Sequence, residues 1–403
     1  MNLYFVQDQF VRLYTSSLLN IRKSRSLFYP LLSIKLILYF LWVPLLLLFS
    51  CRKNDVKPLA SKVVMIYMSA NNSLASNAFT NINQMEEGFT GINGKLIVYA
   101  KIFGQQPCLY EISHDTGPEI TSRKVKIYND HDASDPAIMK MVFNDMESLY
   151  PARSYGAILW SHATNWLPKT ATVALRSFSD DGGSKMDVQS LKTALPDNLE
   201  YLVFDACSMA SVEVMYELKD KATYILASPT EVLSVGLPYN LVEKYLFDAA
   251  PEQGLRQVAG TYYNYYLSQS GNLQSATYSL IKTSELDALA KAAKNLFYGH
   301  PFAYPDFKRS EIQRLDFDSN SLTAGFDFLD FLNKNFDAAD LTTVQTAMNQ
   351  TVLYKVHTPG FLGKPIHTFS GLSCYIPIAA NEWAHPFYRT LGWYLAAGVD
   401  KLF

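Results

Sequence analysis

The chain reads as an α/β protein with a largely parallel sheet covered on both faces. Two observations predict this. Short, nearly continuous apolar runs alternate along the chain with segments of helical period, the pattern of strands buried on both faces. The chain also has ample core material, with 403 residues of which 49% are hydrophobic and 14% aromatic.

The elements follow in order from residue 62. KVVMIYMSA reads as a buried strand, followed by the polar break NNS and a helical stretch through Glu87. GKLIVYAKIFG, CLYEIS and KVKIYND read as three strands. DPAIMKMVFNDMESLYP has Pro136 near its start and apolar residues at helical spacing (Ile138, Met141, Val142, Met146, Leu149). YGAILWSHA is a strand again, and MDVQSLKTAL a short helix with Asp187 as N-cap, stopped by Pro196. YLVFDACSMASVEVMYEL passes from strand to amphipathic helix, and YILAS is another strand. Residues 251–356 are mainly helical in pattern, TYYNYYLSQS being one packed helix face, and SGLSCYIP is a late strand. The organisation expected is therefore a leader at 1–50, a tether at 51–61, a core at 62–250, and a helical region with one late strand at 251–403 belonging to the same unit.

The front end differs in kind. Arg22, Lys23 and Arg25 precede an apolar run that is uncharged from Leu36 to Ser50 and ends at Cys51, followed at once by RKNDVK. A basic region, an apolar run and a small residue before the boundary make a secretory signal. The stretch Leu48-Phe49-Ser50-Cys51 resembles a bacterial lipobox. By that resemblance the leader is removed and Cys51 is lipidated, giving a lipid-anchored lipoprotein of the bacterial cell envelope. The alternative is a signal anchor spanning residues 27–50, with Lys35 as its awkward member.

Charge excludes one partner class. The net charge is -2 and no dense basic tract follows residue 60, so nucleic acid is not expected. Four cysteines (Cys51, Cys108, Cys207, Cys374) are too few and too scattered for a disulfide scaffold, and no pair has zinc-ligand spacing. Cys108 and Cys374 read as buried strand residues.

In an open α/β sheet, ligands gather beyond the carboxyl ends of the strands. Two reactive side chains stand at such ends, His162 after AILW and Cys207 after YLVF. A right-handed crossover would make those strands neighbours and bring imidazole and thiol to one edge. A nearby base activates a thiol, and the N-terminus of the helix after Cys207 is expected to favour thiolate further. The bland reading is a buried small hydrophobe and a structural histidine. By pattern alone the two readings stand about level.

The motifs tip that balance. HA and DAC, each behind an apolar run, together with KVVMIYMSANNSL, DACSMASVEVMYELKDKATYILAS and GLSCYIP, resemble the clostripain-like cysteine peptidases, relatives of caspases, gingipains and legumains. The resemblance covers most of residues 62–380. It implies a caspase-like three-layer α/β/α sandwich and a cysteine endopeptidase acting on protein or peptide substrates. Cys207 is then the nucleophile, His162 the base and Asp205 the acidic partner in the Asp-Ala-Cys motif. Backbone N–H groups of Cys207 and of the His162–Ala163 turn would hold the oxyanion. The family usually has Gly where Ala163 stands, and alanine resists positive φ. That feature favours the rival reading, a non-catalytic envelope lipoprotein of the same fold that binds peptide or glycan. No cofactor is required, and calcium enters only through the resemblance.

Arginine-cleaving members of the family carry an Asp where this chain has Val235, so the resemblance implies cleavage after a neutral, apolar or small residue. Glu231 replaces that acid only if its loop folds back. Two further sets of residues read as structural. His357 and His367 are loop residues with no carboxylate on a shared face, and Asp180-Asp181-Gly182-Gly183 is a solvated turn lacking the alternating calcium-ligand pattern.

Overall fold

The computed structural model describes residues 59–168, 178–300, 307–317, 325–377 and 379–402. Cys51 and the whole leader lie outside these residues. A nine-stranded sheet runs through the middle, in the order β12-β10-β9-β8-β5-β1-β2-β3-β4. Its five central strands are mutually parallel: β9 (Ala222–Ala227), β8 (Leu199–Asp205), β5 (Tyr155–Trp160), β1 (Val63–Ala70) and β2 (Lys95–Ile102). Antiparallel strands close both flanks, β3 (Cys108–Glu111) and β4 (Arg123–Ile127) on one side, β10 (Thr277–Lys282) and β12 (Val352–His357) on the other.

The apolar runs have the cause assigned to them. Along β1, Val63, Met65 and Tyr67 enter one core while Val64, Ile66, Met68 and Ala70 enter the other, so both strand faces need apolar residues. One face is covered by α1 (Ala75–Gly88), α5 (Tyr239–Leu246) and α6 (Pro251–Leu267), whose Met85, Val242 and Tyr262 join the second core. The other face takes α2 (Pro136–Leu149), α3 (Val188–Ala194), α4 (Val212–Leu218) and α7 (Leu286–Gly299), through residues such as Val142, Leu191, Met215 and Leu289. Two core sides on one sheet make the three-layer α/β/α sandwich.

Local signals mostly held. Asp135 and Asp187 cap α2 and α3, accepting N–H groups from Ala137 and Ser190. On α2 the buried side is Met139, Val142, Phe143 and Met146, whereas Met141 is 38% exposed, a shift of the stripe by about a fifth of a turn.

Three expectations are corrected. Residues 251–356, mainly helical as expected, also hold two strands that the sequence reading did not mark, β10 and β12, which extend the central sheet. The late strand, β15 (Ser373–Tyr375), pairs with β11 (Gly325–Asp327) in a separate two-stranded sheet. The Asp180–Gly183 segment is not a solvated turn. It joins β6 (Phe178–Asp181) to β7 (Ser184–Met186), and both of its carboxylates are buried, at 6% and 9% exposure.

Candidate active site

The site lies where the order of the parallel strands reverses. From β1 the chain steps to β2 on one side, then to β5, β8 and β9 on the other. The carboxyl ends of β1, β5 and β8 therefore open a crevice, the expected ligand position in such a sheet. Register brings the reactive residues level: Met68 pairs with Trp160, and Trp160 pairs with Asp205. His162 and Cys207 each follow two residues beyond those paired positions, and both line one cleft of about 430 Å³. Its other walls include Leu74, Asp205, Glu231, Val232, Leu233 and Phe317.

The His162 wall is assembled from side chains. His162 Nε2 lies 2.9 Å from Ser73 Oγ, in the NNS break after β1. That break is fixed from below. Asn72 Nδ2 donates to Asp180 O at 2.7 Å and its Oδ1 accepts the Leu74 N–H at 2.9 Å. Asn71 donates its side-chain N–H to Asp181, whose other oxygen accepts the Ala133 N–H at 2.6 Å. Three residues past His162, Asn165 adopts a left-handed φ of 60°, and its Oδ1 accepts the Ser211 hydroxyl at 2.5 Å. That bond ties the histidine loop to the N-cap of α4 on the other wall.

The Cys207 wall is assembled from backbone. Ser208 N–H donates to Thr230 O at 2.7 Å and Ala210 N–H to Ser228 O at 2.9 Å, stitching the cysteine loop to the segment after β9. Val232 N–H donates to Cys207 Sγ at 3.3 Å. Ser208 holds φ at 59°, a left-handed value that a serine adopts only when its surroundings impose it.

Several sequence expectations change here. The helix after Cys207 does not begin at the thiol: α4 starts at Val212 and spans seven residues, because the chain first turns left-handed at Ser208. Asp205 faces the loop after β9, not the histidine. Its Oδ2 accepts the Leu237 N–H at 3.1 Å and the Tyr239 hydroxyl at 3.0 Å. Burial pushes its carboxyl up to about 6, against the lowering pull of those two donors, and Oδ1 has no hydrogen-bond partner. Ala163 is not among the residues with positive φ and pairs with Phe178 in an isolated antiparallel bridge, so its methyl group meets no backbone conflict.

Val235, expected to floor the specificity pocket, is not among the residues lining the cleft. Its carbonyl accepts the Asn81 side-chain N–H at 3.1 Å. The loop instead turns at Gly236, where φ is 69° and an added Cβ would sit 2.6 Å from Asp205 Oδ2. Glu231 does line the cleft, and its carboxylate accepts the Phe317 N–H at 2.8 Å.

Elsewhere, Cys108 and Cys374 are buried free thiols. His357 ends β12, so it is a strand residue, not a loop one. Among the described residues no group of three His, Cys, Asp or Glu side chains is arranged to hold a metal. Ser73 and Asn165 were missed in the sequence, and Asp181 was read only as part of a solvated turn. Only Asn71-Asn72-Ser73 carried a signal, a polar break at the carboxyl end of a buried strand.

Comparison with known proteins bears on the family and the fold. The family model described as the Clostripain family matches residues 66–302. A solved structure of an inactive zymogen C11 protease from Parabacteroides distasonis superposes with a TM-score of 0.74 at 29% identity, covering 84% of this chain and 98% of that one. A secreted C11 cysteine protease from Bacteroides thetaiotaomicron, in complex with an irreversible peptide inhibitor, gives 0.74 at 28% identity, covering 84% and 99%. No curated protein sequence matches the chain. A caspase-like sheet with a family match across most of it leaves one assignment: the chain belongs to the clostripain family and is a cysteine peptidase.

Proposed function

We propose that the chain is an endopeptidase in which Cys207 and His162 form the catalytic pair. The observation that carries this reading is their placement at register-matched ends of β5 and β8, on one cleft. In the reaction so assigned, His162 takes the thiol proton as Sγ attacks the peptide carbonyl carbon. It then returns that proton to the amine as the C–N bond breaks. Water, deprotonated by His162, hydrolyses the thioester and restores the thiol. Backbone N–H groups of Cys207 and the 162–163 turn serve the oxyanion, worth about 3 kcal/mol per donor. The mechanism routes no step through a metal, and unchanged turnover in EDTA is the check on calcium.

Two readings of specificity follow from different observations. Val235 in place of the family's acid, with apolar Leu74, Leu233 and Phe317 around the cleft, supports cleavage after neutral residues. Asp205 and Glu231 in the same lining support cleavage after Arg or Lys, and the geometry favours this second reading because Val235 is not part of the lining. The Asp205 carboxyl is ionised above about pH 6, so preference for basic over neutral residues should grow as pH rises through that value. Library profiling at pH 5 and pH 8 separates the two; a neutral preference at both values restores the first.

The non-catalytic rival rested on Ala163, and the backbone there does not adopt the conformation that alanine resists. Turnover of library peptides by the wild type and none by Cys207→Ala decides against it. We also read the chain as a bacterial envelope lipoprotein anchored through Cys51, on the strength of the basic region and apolar run before it. Mass analysis of the mature N-terminus tests this. An unmodified chain retaining residues 27–50 establishes the signal anchor instead.

A further inference from the structure

The cleft wall farthest along the chain comes from a hairpin, β13 (Gly360–Phe361) and β14 (Lys364–Pro365), joined by Leu362-Gly363. Both connecting residues are left-handed, with φ 47° and 75°. A two-residue connection of this kind takes Asn-Gly or Asp-Gly by preference, because a branched side chain at the first position crowds the backbone. Leucine there stores strain of order 1–3 kcal/mol. The surroundings enforce it: Leu362 N–H donates to the buried Ser275 Oγ at 2.8 Å, and Lys364 Nζ reaches Phe317 O at 2.8 Å.

The strained side chain faces the catalytic cleft. Leu362 and Phe361 line it together with Phe317 and Leu233. These residues belong to a small apolar cluster that Leu233 joins to the second core of the sheet, and in it Phe317 and Phe361 stack with centroids 5.5 Å apart. Leu362 and Leu233 are only partly buried against it, so apolar surface remains at the cleft. A turn residue chosen against its own backbone preference, continuous with the Cys207 and His162 lining, points to a ligand contact and not to hairpin stability.

We infer that Leu362, Leu233 and Phe317, backed by the buried Phe361, form an apolar subsite for a substrate side chain flanking the residue held at the Asp205 end. The occupant is an aliphatic or aromatic side chain of the peptide being cleaved. The cleft volume of about 430 Å³ falls in the range of ordinary ligand pockets and accommodates more than one side chain. The inference rests on the peptidase reading above.

Leu362→Asn tests it with unusual leverage, because asparagine suits the turn while spoiling the subsite. Its melting temperature is expected to equal or exceed that of the wild type. A peptide library randomised at three positions on each side of the cut should show an apolar preference at one flanking position for the wild type. In Leu362→Asn the apolar-to-polar ratio of kcat/KM there should fall about tenfold, the scale of a lost hydrophobic pocket contact. Leu362→Ala, a second variant, should move the preference towards larger apolar side chains. An unchanged ratio in either folded variant, or no flanking apolar preference in the wild type, overturns the subsite. A wild-type chain that cleaves no library peptide refutes the peptidase reading itself, and the subsite with it, before any variant is made.

Discussion

The His162 side of the cleft is positioned by side chains reaching across loops, whereas the Cys207 side is positioned by main-chain bonds between adjacent segments. On the first, Ser73, Asn71, Asn72, Asn165 and Asp181 act through side-chain polar groups. On the second, Ser208 and Ala210 donate through backbone to Thr230 and Ser228, and Val232 N–H reaches the thiol. The difference teaches where point substitutions should tell. A side-chain scaffold is removed by one mutation; a backbone scaffold survives most substitutions and yields only to changes in allowed φ/ψ.

The largest effect sits on the two reacting groups themselves. Cys207→Ala and His162→Ala should each lower kcat/KM at least about a thousandfold with the fold intact, as kinetics and circular dichroism would show. Next comes Asp181→Ala on the histidine side. It leaves the buried Ala133 N–H and the Asn71 amide without their acceptor, at a cost of roughly 1–3 kcal/mol in denaturant unfolding, with kcat reduced as well.

Ser73→Ala is milder and more diagnostic. A hydroxyl that accepts from the imidazolium stabilises the charged ring, so removing it lowers the histidine pKa. The acidic limb of the kcat/KM profile, which the base sets, should move to lower pH and kcat should fall about tenfold, with KM unchanged and Ser73→Thr retaining most activity. An unmoved limb would reduce Ser73 to a structural neighbour.

On the cysteine side, Ser208→Gly should leave activity near wild type and stability equal or higher, since glycine accepts φ of 59° without strain. Ser208→Val should destabilise by about 1–3 kcal/mol. If Ser208→Gly instead abolished activity, the claim that main-chain bonds, and not the Ser208 side chain, position that loop would break.

The smallest effect on activity is expected outside the cleft lining, at Glu243 of α5. This carboxyl is fully buried with both oxygens unpartnered, and burial raises it to about 9. A raised carboxyl keeps its proton in the folded state while the unfolded chain loses it. Stability from this group is therefore lost as pH climbs from about 4.5 to 9. Glu243→Gln should stabilise by up to about 3 kcal/mol at pH 7 and change little at pH 4, read by urea unfolding at both values.

The central strands were legible because burial on both faces forces continuous apolar runs, as in Val63–Met68. His162 and Cys207 were legible because strand ends and neighbour order constrain where their backbones go. What did not show was whatever depends on long-range pairing. β10 and β12 carry polar residues on a flank of the sheet and read as part of a helical region. Asp205 sits two residues from the thiol, yet its partners are Leu237 and Tyr239, set by the course of a loop no local pattern encodes. Val235 failed to reach the cleft for the same reason, because the turn falls at Gly236. Leu362 gave no signal as a leucine before a glycine, and its strain is visible only in its φ.

The central claim is that Cys207 is the nucleophile and His162 its base. An irreversible peptide probe bearing a thiol-reactive ketone, followed by mass mapping of the adduct, tests it most directly. The account predicts one adduct on Cys207, none in Cys207→Ala, and labelling slowed at least about a hundredfold in His162→Ala. An adduct on Cys108 or Cys374, or labelling of Cys207 at the wild-type rate in His162→Ala, would contradict it.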